Sequence, residues 1–311
     1  LLSQRMQQRL EETLNKGEQA MILLNKRGYA SFIKCESCGE PIRCPHCDVT
    51  LTYHKAENRL KCHLCEYFTS VPQVCPECGS THLKKIGYGT QKIEEELEKK
   101  YPDARIIRFD FDTTRNKNTH LKLLKDFEEH KADIMLGTQM IAKGLDFSNV
   151  TFVGVLMADL SLMVPDFRAS ERTFQLLCQV AGRSGRGDKQ GTVMIQTFNP
   201  EHYAIKAAVK QDYEAFFKEE MLFRKKAKYP PFCHLVSVIV QSRTPKNVHL
   251  TALDISKCLK EHLEKVRIIG PQPAFKMQDI YRERILIKYI ESKPIYEQLS
   301  LIDDYYNRTR K

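Results

Sequence analysis

CESCGEPIRCPHCDVTLTYHKAENRLKCHLCEYFTSVPQVCPEC, residues 35–78, holds eight cysteines in four Cys-x-x-Cys knuckles, spaced C-x2-C-x5-C-x2-C-x14-C-x2-C-x9-C-x2-C. Such a knuckle sets two sulfurs at the separation one metal needs, and a second knuckle completes the four-coordinate shell that structural zinc prefers. The thiolates suffice for two tetrahedral sites, and three pairings of the four knuckles are possible. The stretch between Cys47 and Cys62, DVTLTYHKAENRLK, reads as two short strands around a polar turn. That hairpin favours a nested pairing, in which Cys44 and Cys47 join Cys62 and Cys65 while Cys35 and Cys38 join Cys75 and Cys78 to clasp its base.

Disulfides are the competing reading of this block. The sequence shows no secretory signal, and Cys178, Cys233 and Cys258 stand alone in apolar surroundings as reduced core cysteines do, so zinc is the better fit. His46, His54 and His63 lie among the knuckles, but eight sulfurs already satisfy two metals, and these rings are expected to face solvent. A complete all-thiolate shell leaves no open position for water, so neither site is expected to be catalytic.

Outward from the cysteines, short apolar runs alternate with amphipathic helical patterns. A helix over residues 1–15, opened by Ser3 and ended by Gly17, precedes a strand at 20–24, after which the cysteine block reads as an insertion. Then come a helix at 91–100, a strand at 105–109, a helix at 119–130, strands at 133–136 and 150–157, a helix at 168–183 and a strand at 192–197. This order predicts a mostly parallel sheet covered on both faces. Beyond Pro200, helical segments carry the basic run Arg224-Lys225-Lys226-Ala227-Lys228, and Tyr229-Pro230-Pro231-Phe232 breaks the chain. A strand at 234–241, a helix at 246–266, strand-like segments at 267–269 and 284–290 and a helix from Pro294 predict a small α+β domain of split β-α-β order. The expected division is 1–34, the start of the sheet domain; 35–78, the metal-binding insertion; 79–200, the rest of the sheet domain; and 201–311, a helical linker with the α+β domain.

The 311 residues are 42% hydrophobic with a formal net charge of +10, a sequence pI near 9.0 and a mean hydropathy of −0.44. No apolar run approaches a membrane span. The basic balance makes a polyanion the first partner to consider.

Two further segments carry chemistry. Gln179-Val180-Ala181-Gly182-Arg183-Ser184-Gly185-Arg186-Gly187 places two guanidinium forks in a glycine-rich turn after a helix, where they reach an external anion. Arginines so placed neutralise charge developing on a transferred γ-phosphoryl group, and a missing one costs about 10³ to 10⁵ in rate. Gly137-Thr138-Gln139-Met140-Ile141-Ala142-Lys143-Gly144-Leu145-Asp146-Phe147 directly follows a predicted strand, where α/β sheets hold their ligand loops.

Together these segments resemble motifs V and VI of superfamily 2 helicases. The order of cysteine block, Gly89-Thr90-Gln91-Lys92-Ile93-Glu94-Glu95, Asp110-Phe111-Asp112-Thr113-Thr114, Asp166-Phe167-Arg168, Glu171-Arg172, Tyr229-Pro230-Pro231-Phe232 and Gly270-Pro271 is similar to the replication-restart helicases of that superfamily, along nearly the whole chain. The resemblance implies an α/β fold: a RecA-like second helicase lobe with an inserted two-zinc module, four cysteines per metal, followed by the small α+β domain. It implies a 3′-to-5′, ATP-dependent DNA helicase that binds stalled or abandoned forks and initiates primosome assembly. Arg183 and Arg186 would then be the γ-phosphate sensors, with Gln179 coupling nucleotide to DNA. Gly144, Asp146 and Gly182 would line the nucleotide cleft, while Thr138, Gln139 and Lys143 would touch the DNA backbone. Implied partners are forked and single-stranded DNA, single-stranded DNA-binding protein and helicase-loading proteins, for a monomer in the bacterial cytoplasm at the nucleoid.

The departures are specific. No Gly-x-x-x-x-Gly-Lys-[Ser/Thr] phosphate loop and no Asp-Glu-x-His motif occurs, so ATP and Mg²⁺ would bind only with an N-terminal lobe, and this chain alone is expected not to hydrolyse ATP. Phe111 stands where the family often has arginine, and the chain is expected to stop short of the family's final strand. The alternative is a non-enzymatic zinc-ribbon DNA-binding scaffold that keeps a degenerate RecA-like domain.

Overall fold

The computed structural model describes residues 1–25, 32–47, 49–54, 58–62, 65, 67–86, 90–110, 117–141, 147–164, 166–182 and 191–309. Helix α1 (Gln4–Asn15) leads into β1 (Gln19–Leu24), and the cysteine block contributes β2 (Phe32–Cys35), β3 (Thr52–His54), β4 (Arg59–Lys61), β5 (Phe68–Ser70) and β6 (Leu83–Ile86). The alternation resumes with α2 (Thr90–Lys100), β7 (Ile106–Phe109), α3 (Lys117–Glu128), β8 (Ile134–Gly137), β9 (Val150–Leu156), a 3₁₀ turn (Ala158–Ser161), α4 (Ala169–Ala181), β10 (Thr192–Ile195), α5 (Tyr203–Lys210) and α6 (Tyr213–Ala227). The chain ends with β11 (His234–Ser242), α7 (Pro245–His262), β12 (Arg267–Met277), β13 (Ile280–Tyr289) and α8 (Ser292–Thr309). Two compact units result, Leu1–Ala30 with Gly87–Glu220, and Ser31–Ile86 with Met221–Lys311.

The first unit is a five-stranded sheet in the order β10-β9-β1-β8-β7, with every pairing parallel. All residues of β1, β8 and β9 are buried, as strands covered on both faces must be. Alternate residues serve opposite faces. Ala20, Ile22, Leu24, Ile134 and Leu136 pack with Leu2, Met6 and Leu10 of the N-terminal segment and Ile93 and Leu97 of α2. Met21, Leu23, Met135, Val153 and Val155 pack with Phe127, Phe174, Leu177, Ile205 and Phe216 on the other face. After β1 the chain crosses to β7, returns through β8 beside β1, and then passes to β9 on the far side of β1. The carboxyl ends around β1 therefore form the switch point at which open α/β sheets build ligand sites. Among the described residues, no helix is long and apolar enough to cross a membrane.

The second unit contains the cysteine module and the C-terminal domain. In the latter, β11-β13-β12 form an antiparallel sheet in which β13 lies between the two strands of a β-α-β unit. Val240, Ile285, Ile287 and Tyr289 pack with Ala252, Ile255 and Leu259 of α7 and Ile295 of α8. Strand β12 extends well past the sequence-expected 267–269, through Pro271 and Pro273. It tolerates them because it is an edge strand, and its pairing with β13 shifts register between Ile269 and Gln272.

Candidate metal centre and strand-end site

The cysteine knuckles are built by short antiparallel pieces. β2 pairs with β6, bringing Cys35 opposite Leu83, and β3, β4 and β5 form a small meander. The third strand, Phe68–Ser70, adds to the expected hairpin. Ile33, Ile42, Leu51, Tyr53 and Leu60 make a core around the sulfurs.

The knuckles come together in the nested order: Cys35, Cys38, Cys75 and Cys78 in one cluster, Cys44, Cys47, Cys62 and Cys65 in the other, with ligand atoms all within 4.8 Å in each. Sulfur separations are 3.6 Å for Cys35–Cys78, 3.7 Å for Cys38–Cys75 and 3.6 Å for Cys44–Cys65. A tetrahedron with metal–sulfur bonds of about 2.3 Å has edges of about 3.8 Å, so the spacing fits zinc.

The thiol chemistry agrees. The Cys35 thiol is lowered to about 6, chiefly by the Cys38 N–H group. For Cys38 the Glu40 N–H group favours the thiolate, but burial and the neighbouring sulfurs prevail and push it up to about 12. Burial and the sulfurs of Cys65 and Cys62 raise Cys44 to about 12 as well. Thiols held this close cannot all ionise unless a cation neutralises them, which is what a tetrathiolate metal centre provides.

His46 does not simply face water: its Nδ1 lies 2.6 Å from Asp279 Oδ2. His63 lies outside the described residues. Of the three isolated cysteines only Cys233 is buried, Cys178 and Cys258 being half-buried.

At the carboxyl edge of the parallel sheet, Thr138 and Gln139 follow β8 directly and are half-buried. The Gln139 amide donates to Asn25 Oδ1 at 2.9 Å, just past β1. Asn25, itself 1% exposed, donates to the Ala158 carbonyl and to Ser161 Oγ, both at 2.9 Å. Ser161 Oγ is 2.7 Å from Thr173 Oγ1 of α4, the helix that carries Gln179. A polar relay thus joins the strand-end loop to α4.

Gln179 is exposed, and Gly182 caps α4 with its N–H group on the Cys178 carbonyl at 3.2 Å. Lys143, Gly144, Asp146, Arg183 and Arg186 lie outside the described residues. Two of the quoted motifs meet directly, with Thr90 Oγ1 donating to Asp110 Oδ2 at 2.6 Å. Arg108 pairs with Asp110 at 3.0 Å and Glu94 at 2.7 Å, and burial keeps the Glu94 carboxyl above its ordinary value despite that partner. Before α4, Asp166 receives Arg168 and Arg172, at 3.2 and 2.9 Å. Asn25, Ser161 and Thr173 are not conspicuous in the sequence, where the one clue is a polar residue directly after an apolar strand.

Three family profiles match. Residues 82–188 match the helicase conserved C-terminal domain, residues 44–68 the PriA DNA helicase Cys-rich region domain, and residues 225–304 the primosomal protein N C-terminal domain. The fold and the cysteine clusters therefore define a conserved helicase C-terminal lobe bearing an inserted zinc-binding cysteine region. Along its length the chain is 49% identical to the replication restart protein PriA of Bacillus subtilis over 311 residues, 99% of this chain and 39% of the relative. It is 43% identical to the protein of the same name in Chlamydia pneumoniae over 304 residues, 96% of this chain and 41% of the relative. The chain belongs to the PriA family of replication restart proteins, and it spans about two fifths of the length of the curated relatives it matches. Among solved structures, the C-terminal domain of the DEAD-box protein Dbp5 is 13% identical with a TM-score of 0.33, covering 70% of this chain and 91% of that one.

Proposed function

We propose that this chain supplies the C-terminal part of an ATP-dependent 3′-to-5′ DNA helicase that binds stalled or abandoned forks and initiates primosome assembly. The observation that carries the reading is the 49% identity to a replication restart protein across 99% of this chain, with the helicase C-terminal match spanning both loop motifs. Arg183 and Arg186 act on the γ-phosphate, and Gln179, four residues before Arg183 in the sequence, couples nucleotide to DNA. Gly144, Asp146 and Gly182 line the nucleotide, and Thr138, Gln139 and Lys143 hold the DNA backbone. The relay from Gln139 through Asn25 and Ser161 to Thr173 supports that assignment, because it gives the DNA-side loop a part-buried polar route to α4, the helix that carries Gln179. The two cysteine sets hold two structural Zn²⁺ ions, and the phosphate loop and Mg²⁺ ligands come from an N-terminal lobe. The functional divisions are 1–34, 35–78, 79–200 and 201–311. Single-stranded DNA-binding protein and helicase-loading proteins are the partners of the monomer.

The test joins this chain to the N-terminal region of the Bacillus subtilis relative and measures ATP hydrolysis with and without single-stranded DNA. DNA-stimulated hydrolysis that falls at least 10³-fold (order of magnitude) in Arg183→Ala supports the reading. Unchanged hydrolysis in that variant favours the non-enzymatic scaffold. Binding of forked DNA by the chain itself should weaken with salt as counterions compete for the phosphates, given the net charge of +10.

A further inference from the structure

In a cysteine knuckle, backbone N–H groups aimed at the sulfurs stabilise thiolate charge. The Cys35 sulfur receives the Cys38 and Ser37 N–H groups, Cys38 that of Glu40, Cys78 that of Ser80, and Cys44 those of His46 and Cys47. Each donor lies within three residues of its sulfur. Cys47 differs, because its sulfur receives the N–H group of Gln278 at 3.3 Å, from 231 residues further along the chain.

The local reason is visible. After Cys38 and Cys78 come Gly39 and Gly79, with φ of +80 and +73, which turn the second N–H group back toward the sulfur. After Cys47 the sequence has Asp48, and the Val49 N–H group bonds the Cys47 carbonyl at 2.7 Å instead. The knuckle's own donor is therefore directed elsewhere.

The turn that replaces it is itself unusual. Met277 pairs with Ile280 across the β12–β13 hairpin, and Gln278 and Asp279 between them have φ of +52 and +60. A two-residue turn with both central residues in this region suits Asn-Gly or Gly-Gly rather than Gln-Asp. Four contacts hold it there. The Asp279 N–H group donates to the His46 carbonyl at 2.9 Å, the Asp279 carboxylate meets His46 Nδ1 at 2.6 Å, Lys276 Nζ donates to the Pro45 carbonyl at 2.8 Å, and Met277 packs against the cysteine core.

We propose that the β12–β13 turn is part of the Cys44–Cys47–Cys62–Cys65 metal centre, Gln278 supplying the hydrogen bond that its knuckle lacks, so that occupancy of this centre fixes the C-terminal sheet on the cysteine module. The inference rests on zinc occupying the cluster and not on helicase activity. Binding linkage is reciprocal, so metal that orders the turn is held by the turn to the same degree. Loss of a partner that supports metal ligands costs about 10- to 100-fold in affinity.

Zinc content of the purified chain is measured first, and its absence defeats the metal reading itself. In Asp279→Gly, glycine suits the positive φ but cuts the carboxylate tie to His46. One zinc ion should then pass to a chromophoric chelator about tenfold faster while the other keeps its wild-type rate. Gln278→Asn keeps the N–H group and tolerates the turn, and should release both at wild-type rates. In the unaltered chain, removing zinc should accelerate amide exchange at residues 277–280 at least tenfold (order of magnitude) while α7 and β11 stay protected. Unchanged zinc release in Asp279→Gly, exchange at 277–280 that ignores the metal, or loss of protection across α7 and β11 together would each overturn the proposal. The exchange measurement decides alone if Asp279→Gly does not fold.

Discussion

Asn25→Ala removes the centre of the relay that ties β1, the loop after β8, the 3₁₀ turn and α4 together. Three hydrogen bonds at 2.9 Å disappear, two donated by Asn25 and one accepted by it. At about 1 kcal/mol net each, they sum to about 3 kcal/mol. The partners modify the figure unequally. Ala158 is fully buried, so its carbonyl loses a donor without gaining water, whereas the half-buried Gln139 amide can be rehydrated and Ser161 keeps Thr173. A net loss of about 2–4 kcal/mol follows, near the large end for single substitutions. Amide exchange of β1 and β9 reads it directly, because those strands are buried throughout and open only with the sheet. At about 1.4 kcal/mol per factor of ten, exchange should quicken about a hundredfold. A change below about threefold would refute the view that Asn25 is the buried centre of this relay.

Three further predictions follow from single features. Gly137→Ala sets a Cβ 2.4 Å from the Phe109 carbonyl oxygen, which is backbone and cannot move aside, whereas Gly154→Ala meets the Ile22 and Met6 side chains at 2.9 and 3.2 Å. The first variant should unfold at markedly lower urea and the second should lose about 1–2 kcal/mol; equal losses would contradict the geometry. Burial opposes ionisation of Asp159, yet hydrogen bonds from Thr197 Oγ1 and the Phe198 and Asn199 N–H groups prevail and lower its pKa. Its contribution is thus complete above the ordinary aspartate value of about 3.9 and lost as pH falls through the lower native value, so Asp159→Asn should cost about 2–3 kcal/mol at pH 7 and progressively less below pH 4. A cost independent of pH would be wrong for this site. Chelation should abolish protection of β2 to β6 and leave the sheet of β1 and β7 to β10 intact, since a structural metal stabilises the fold where its ligands lie; retained protection at 32–86 would remove the metal from the account.

Much of this architecture is legible because its signals are local. Four knuckles declare a metal module, and the hairpin-length stretch after Cys47 selects the nested pairing. Buried parallel strands read as apolar runs, as in 20–24 and 152–156. What escapes is non-local or masked by composition. β5 has only Phe-Thr-Ser to announce it, and β12 contains prolines that read as breaks until its edge position is known. Asn25 meets Gln139 across 114 residues, and Gln278 meets Cys47 across 231. Gln-Asp carries no turn signature, because the turn is held by the cysteine module rather than by its own preference.

The paired thiolate centres are the foundation of the account, and X-ray absorption at the zinc edge with metal counting tests them most directly. Two zinc ions per chain, each in a shell of four sulfurs at about 2.3 Å, are predicted for the two cysteine sets. A single ion per chain, or a shell containing nitrogen or oxygen, would contradict it.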